Sequence, residues 1–167
     1  MHSFITGRSG SGKTFLAMEK ARQLRAHGMP VIVLNPIPHN EWSADFETAE
    51  PAEFIRVVRA NRGCHCFVDE AAIMVGLHPS EDMMWTALVS RNLGHRFYYI
   101  SPRVMTVARS VRDQCSEHYV FRIGYKDAKE LAESEGEDAI KAAARLPRYE
   151  YLWVRPFKPV ERCKLRI

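Results

Sequence analysis

The stretch that decides the fold lies near the amino terminus and reads Gly7-Arg8-Ser9-Gly10-Ser11-Gly12-Lys13-Thr14. It matches the pattern GxxxxGK followed by Ser or Thr, and it lies between a predicted strand and a predicted helix. Glycines let the backbone turn tightly, so that consecutive N–H groups point at one phosphate, and the following helix adds its positive end. The stretch therefore predicts a nucleotide-binding phosphate loop, in which Lys13 reaches the β- and γ-phosphates of ATP and the Thr14 hydroxyl ligates Mg²⁺.

Two adjacent carboxylates are the second chemical feature. Asp69 and Glu70 follow the apolar stretch 64–68, which we predict to be a strand. Beside the phosphate loop, Asp69 can hold Mg²⁺ through water, and Glu70 can polarise a water for attack on the γ-phosphate. The alternative is a solvated turn after a strand. A base for water favours NTP hydrolysis over phosphate transfer to a bound hydroxyl, which is the reaction of a small-molecule kinase.

Apolar stretches alternate with helical patterns along the chain. The predicted strands are residues 2–6, 31–34, 64–68, 97–101, 118–123 and 149–154. The predicted helices are residues 13–27, 52–61, 80–93, 104–114 and 126–145, the last one exposed and divided at Gly136, whereas 35–51 and 156–167 look irregular. This alternation predicts an α/β fold with a mainly parallel sheet flanked by helices. We expect residues 1–124 to form the core and residues 125–167 an extension packed on the same domain.

Composition and charge exclude several classes of protein. With 46% hydrophobic and 26% charged residues among 167, the chain is neither a disordered tail nor a small disulfide scaffold. Its apolar runs are far shorter than the ~20 residues of a membrane helix, and its cysteines lack zinc-ligand spacing, so we expect a cytoplasmic protein without a transmembrane segment. Residues 145–167 carry seven basic side chains against two acidic ones. This basic tail could bind DNA or a capsid, or it could be a solvated terminus.

Arginines are concentrated around the fourth predicted strand. Six of them lie between residues 91 and 122, among them Arg91 and Arg103. An arginine can stabilise the charge of a transferring γ-phosphoryl group, often from a neighbouring subunit, or it can grip a nucleic-acid backbone. The simpler alternative is that several of the six are ordinary surface side chains.

Three motifs together resemble a known family. They are GRSGSGKT at 7–14, FVDEA at 67–71, and Ser90-Arg91-Asn92-Leu93-Gly94-His95 leading into the strand 97–101. These motifs resemble the FtsK–HerA branch of the P-loop ATPases, and the small size is similar to the genome-packaging ATPases of tailless, membrane-containing icosahedral viruses. The resemblance implies an ASCE-type P-loop NTPase with the sheet order 5-1-4-3-2. It also implies a homo-oligomeric ring, commonly a hexamer, and ATP-driven movement of double-stranded DNA.

The resemblance also assigns roles to residues of the third motif and the strand after it. Arg91 matches the family's arginine finger, which acts on the site of a neighbouring subunit. The strand that follows usually ends in a glutamine sensor, but this chain has Ser101-Pro102-Arg103 instead. We therefore expect Ser101 to contact a γ-phosphate or the attacking water, with shorter reach than glutamine, and Arg103 to share the role.

The leading hypothesis is an ATP-hydrolysing, Mg²⁺-dependent motor that packages viral double-stranded DNA into a preformed capsid. Its expected partners are DNA, further copies of the chain, and capsid or membrane-vertex proteins, in the host cytoplasm and in the virion. One alternative is a Zot-like phage assembly ATPase, which is expected to carry a membrane span after its core. The others are a small-molecule kinase and a nucleotide-gated scaffold that hydrolyses slowly and moves nothing.

Overall fold

The computed structural model describes residues 1–37 and 41–166. Residues 38–40, in the segment predicted to be irregular, and residue 167, in the predicted tail, lie outside the described residues. One eight-stranded sheet forms the centre of the structure. Its strands are β1 (His2–Thr6), β2 (Val31–Leu34), β3 (Phe46–Thr48), β4 (His65–Val68), β5 (Arg96–Ser101), β6 (Cys115–Val120), β7 (Glu150–Val154) and β8 (Glu161–Lys164).

The strands are arranged in the order β3-β2-β4-β5-β1-β6-β7-β8. Strands β1 to β6 pair in parallel, whereas β7 and β8 are antiparallel to their neighbours. The five strands predicted for the core are β1, β2, β4, β5 and β6, and they have the expected order 5-1-4-3-2. The sheet differs in detail because β3 extends one side and the β7–β8 hairpin extends the other.

Helices cover both faces of this sheet. The α-helices are α1 (Lys13–Ala26), α2 (Pro51–Ala60), α3 (Ala71–Met74), α4 (Glu81–Leu88), α5 (Arg109–Arg112) and α6 (Tyr125–Glu135), and 3₁₀ helices cover Ser90–Leu93, Val104–Thr106 and Asp138–Arg145. Successive strand residues face opposite sides, so Phe4 packs in the core on the face covered by α2, α4 and α6, and Ile5 packs in the core on the face covered by α1. Because both faces are covered, β2 is apolar and buried at every position.

Several predicted elements differ from the observed ones where long-range pairing decides the backbone. The segment predicted to be irregular contains β3, which pairs with β2 and is tied to it by the Asn35 N–H bond to the Thr48 carbonyl. The tail predicted to be loop-like contains β8, which pairs with β7. Both strands are short and carry polar residues, so local periodicity does not reveal them.

The predicted helices after residue 80 are shorter than expected. The helix predicted at 80–93 ends at Leu88 and is followed by a 3₁₀ turn, and the one at 104–114 is reduced to a 3₁₀ turn and the four-residue α5. Between those two pieces, Val107 is extended and fully buried. The helix predicted at 126–145 divides at Gly136, as expected, but it is not exposed, because Leu131 and Ile140 are fully buried. Among the described residues, no helix has the length and apolar character to cross a membrane.

Candidate nucleotide-binding site

The phosphate-loop residues connect β1 to α1 at the edge where the parallel strands end, which we call the carboxyl edge. The Gly7 N–H donates to the Ser101 carbonyl at the end of β5 (3.3 Å), and the Arg8 N–H donates to the Arg122 carbonyl just after β6 (2.9 Å). The loop is thus held between the two strands that flank β1. Ligands of open parallel sheets bind at this edge.

Glycines of the loop stand where a side chain would not fit. Gly10 has φ +73° and Gly12 has φ +106°, in the left-handed region that glycine adopts without strain. Gly7 has no unusual φ, but a Cβ added there would lie 2.5 Å from the Cβ of Phe121. The predicted spacing of glycines therefore has a backbone reason at two positions and a packing reason at the third.

Helix α1 begins at Lys13, immediately after the loop. Lys13 is only 7% exposed, Thr14 is half-buried, and Ser9 is exposed on the loop. The Ser11 hydroxyl is buried and has no hydrogen-bond partner within the described residues. A buried cation, the first N–H groups of a 14-residue helix and an unpaired hydroxyl together form an environment suited to a phosphate chain.

Asp69 lies at the carboxyl edge, directly after β4. Its carboxylate is buried, with the residue 3% exposed, and Oδ1 accepts the Glu70 N–H at 2.9 Å. Burial raises the pKa of Asp69, and the nearby positive charge of Lys13 opposes that rise. Mg²⁺ in nucleotide sites is held by one or two hard oxygen ligands together with phosphates. Asp69 and Thr14 offer that donor set.

Glu70 stands in a strained conformation at the start of α3. Its φ of 47° and ψ of 50° lie in the left-handed region, which costs a residue with a Cβ about 1 kcal/mol or more. Its side chain is half-buried, and its backbone carbonyl accepts the N–H groups of Ile73 and Met74. Strain of this kind concentrates at functional sites, and here it turns Glu70 away from the direction of the strand.

The two candidate sensor residues lie in the turn after β5. The Ser101 hydroxyl is buried, donates to the Arg103 carbonyl (2.9 Å) and lies 3.3 Å from the Thr106 hydroxyl. Arg103 is 67% exposed and forms an ion pair with the buried Asp127 of α6 at 3.8 Å. Both side chains therefore have partners within this turn and α6, although the Ser101 backbone contacts the phosphate loop. Their sensor role stays a prediction.

Arg91 lies on the opposite side of the sheet, at the edge where the parallel strands begin, which we call the amino edge. It is exposed in the 3₁₀ helix before β5, close enough to the Met1 amino group that its charge helps burial and Arg96 to lower the pKa of that group. Within one chain, Arg91 is therefore separated from the phosphate loop by the length of strand β5.

Sequence reasoning missed the residues that cover the phosphate loop from the carboxyl-terminal side. Arg148 Nε donates to the Gly10 carbonyl at 3.1 Å. A Cβ on Gly12 would lie 2.5 Å from Leu165 Cδ1 and 3.2 Å from Tyr149 Cδ1, so both side chains pack on that glycine. In the sequence, Arg148 is one basic residue among seven in the tail, and no local signal sets it apart.

The fold of this chain is similar to those of several solved structures. Neither a protein-family model nor a curated protein matches the chain. The genome-packaging NTPase B204 of Sulfolobus turreted icosahedral virus 2, in complex with AMPPCP, matches with a TM-score of 0.81 at 13% identity, over 97% of this chain and 96% of that one. VirB4 of Thermoanaerobacter pseudethanolicus matches with 0.73 at 12% identity, over 99% and 89%.

A third solved structure matches with a lower TM-score. The amino-terminal domain of zonular occludens toxin from Neisseria meningitidis has a TM-score of 0.53 at 16% identity, over 71% of this chain and 74% of that one. The likeness to a viral genome-packaging ATPase that the sequence predicts is thus confirmed at the level of the fold, and the chain shares its mixed α/β fold with B204 and VirB4.

Proposed function

We propose that the chain is a Mg²⁺-dependent ATPase that moves double-stranded DNA, and that it packages a viral genome into a preformed capsid. The observation that carries the proposal is the convergence at one edge of the sheet of the phosphate loop, the buried Lys13 and the Asp69–Glu70 pair. The structural likeness to the genome-packaging NTPase B204 supports genome packaging as the process that the hydrolysis drives.

The arrangement divides the chemistry among a few groups. The loop N–H groups and Lys13 would hold the phosphates, and Thr14 and Asp69 would hold Mg²⁺, which when bound would neutralise part of the triphosphate charge. Glu70 orients a water and accepts its proton as the water attacks the γ-phosphate. Ser101 and Arg103 act as sensors: they contact the γ-phosphate or the attacking water, and its loss after hydrolysis changes the turn after β5. A small-molecule kinase needs no such base, so Glu70 favours hydrolysis.

Assembly completes the site in this proposal. Arg91 is exposed at the amino edge, and a head-to-tail contact would present it to the carboxyl edge of the next copy. Repeated around an axis, that contact closes a ring, for which we favour a hexamer. Residues 1–124 would form the motor core and residues 125–167 an extension on the same domain, since β7 continues the sheet beyond β6.

The proposed partners are double-stranded DNA and the capsid or membrane-vertex proteins that receive it, in the host cytoplasm and in the virion. A second candidate is a Zot-like role in phage assembly, which the likeness to the zonular occludens toxin domain supports. The packaging role is favoured because that likeness covers less of the chain and has a lower TM-score than the likeness to B204.

The direct test is the rate of ATP hydrolysis with and without double-stranded DNA. We expect hydrolysis that requires Mg²⁺ and is clearly stimulated by DNA. The Glu70→Gln variant should bind ATP and fail to hydrolyse it, whereas Glu133→Gln, on the exposed side of α6, should match the unmodified chain. Hydrolysis that DNA does not change, together with phosphate transfer to a metabolite, would contradict the motor.

A further inference from the structure

The hairpin formed by β7 and β8 reaches back to the phosphate loop. Arg148, two residues before β7, is exposed to solvent, yet its Nε donates to the Gly10 carbonyl at 3.1 Å. Leu165, one residue after β8, donates its N–H to the Tyr149 carbonyl at 2.9 Å. The two ends of the hairpin are thus fastened to each other beside the loop.

The backbone at this junction is strained. Tyr149 has φ +67°, in the left-handed region that aromatic residues rarely adopt, at a cost of about 1–3 kcal/mol. Its ring packs on Gly12, and the Arg148 guanidinium lies 4.5 Å from the ring centroid. A flat aromatic face beneath the guanidinium restricts the arginine's rotamers and favours its charge. The strained residue therefore positions both the arginine and the cover over Gly12.

Beside this junction lies a pocket of about 350 Å³. It is lined by Arg8, Ser9, Gly10, Ser11, Arg122 and Arg148. Three of these six residues are arginines, and the pocket also reaches Ser11, whose hydroxyl is buried without a partner in the described part of the chain. Three positive charges around one pocket favour the binding of a polyanion. The pocket thus combines three cationic residues with the backbone of the phosphate loop.

We propose that Arg148 is a positioning residue of the nucleotide site, and that Arg8, Arg122 and Arg148 form a cationic mouth for the phosphate chain of a nucleoside triphosphate. This inference rests on the proposed function. Arg148 holds the phosphate loop through the Gly10 carbonyl, and it also lines the pocket beside that loop. The β7–β8 hairpin is thereby part of the ATP site, which sets Arg148 apart from the DNA-binding or solvated tail that the charge pattern alone suggests.

The test compares ATP affinity and steady-state hydrolysis in the full chain. Arg148→Gln should weaken binding of a fluorescent ATP analogue about tenfold, since a hydrogen bond to a charged group and one positive charge are lost. The KM for ATP should rise accordingly, while kcat stays within about threefold. Arg148→Lys keeps the charge but not the planar fork, so it should recover only part of the affinity. Adenosine, which lacks phosphates, should bind both variants as it binds the unmodified chain.

Lys158→Ala is the matched control, because Lys158 is an exposed cation at the far tip of the same hairpin. It should leave ATP affinity unchanged. If Arg148→Gln unfolds, the exposed Arg122→Gln, expected to weaken ATP binding about threefold, tests the cationic mouth instead. ATP affinity equal to that of the unmodified chain in the folded arginine variants would overturn this inference. Failure of the unmodified chain to bind ATP would instead overturn the proposed function.

Discussion

The two edges of the sheet use buried polar groups in different ways. At the amino edge, the Glu117 carboxylate accepts hydrogen bonds from the Ser3 hydroxyl (2.8 Å) and the Trp153 indole N–H (2.8 Å) and pairs with Arg96. At the carboxyl edge, the hydroxyls of Thr6 and Ser11 are buried without partners among the described residues. A buried polar group without a partner costs about 1–3 kcal/mol. The amino edge is not fully paired, since Arg96 Nε and His95 Nε2 are also buried without partners among those residues. Its Glu117 cluster nevertheless stabilises the fold, whereas the two unpaired hydroxyls of the carboxyl edge lie beside or within the phosphate loop.

Arg91 is an exception to this contrast between the edges, because it lies at the amino edge but is proposed to act at the carboxyl edge of another copy. Arg91→Ala should lower kcat by about a thousandfold, the usual worth of such an arginine. Mixing it with Glu70→Gln should restore part of the activity, since some interfaces then combine an intact Arg91 with an intact Glu70. Arg56→Ala, which removes another exposed arginine, is the control. Mixtures with no recovered activity would argue against action between subunits.

Lys13→Ala tests the carboxyl edge within one chain. It should reduce ATP turnover by about a hundredfold or more, because a buried positive charge at the phosphates is lost. The melting temperature without nucleotide should change little, since removing a buried cation also removes its desolvation cost. Turnover and melting temperature measured on the same preparation separate these effects. A large fall in melting temperature would show that Lys13 stabilises the fold.

Glu117→Gln tests the amino edge, where we expect a loss of stability without a loss of ATP affinity. Removing the buried charge of Glu117 leaves the half-buried Arg96 uncompensated and weakens the hydrogen bonds from Ser3 and Trp153, so the free energy of unfolding should fall by about 2–4 kcal/mol in urea titrations. Affinity for ATP should stay within twofold. Glu133→Gln, at an exposed pair with Lys129, should cost less than about 1 kcal/mol. A loss of ATP affinity in Glu117→Gln would erase the distinction between the two edges.

His2, also at the amino edge, should make the stability of the fold depend on pH. Its Nδ1 accepts the Phe97 N–H (3.0 Å), its Nε2 lies 3.1 Å from the Ala87 carbonyl, and burial lowers its pKa to about 4. The unfolded state, with a pKa near 6.5, binds the proton first, so stability is full above about pH 6.5 and falls towards pH 4. The slope from this group is at most about 1.4 kcal/mol per pH unit. A His2→Gln variant should flatten the profile, and an unchanged profile would exclude His2.

Local sequence explains the carboxyl edge better than it explains the rest. The phosphate loop and the Asp69–Glu70 pair are contiguous motifs, and their spacing follows from backbone geometry within a few residues. The strand order followed from a family resemblance, and the observed core has that order. The catalytic, metal-binding and sensor roles assigned to these residues remain predictions.

The missing parts depend on contacts between residues far apart in the chain. Strand β8 and the contact of Arg148 with Gly10 exist because the hairpin folds back across the loop, which no local periodicity encodes. The left-handed conformation of Tyr149 is similarly set by packing, since its residue type favours the extended region. The cleft beside the phosphate loop could therefore not be described before the tertiary structure was known.

The central position of β1 has a consequence for folding. Phe4, in β1, pairs with Tyr99 of β5 on one side and with His118 of β6 on the other. Such distant parallel pairings form late and slowly, typically in milliseconds to seconds. The loop that follows β1 is held by hydrogen bonds to residues at or just after the ends of both neighbouring strands, so we expect a triphosphate to bind only chains in which both strands have docked. At a concentration of 100 times its Kd, ATP would then stabilise the native state by about 2.7 kcal/mol, and it would do so only after the last strands have paired.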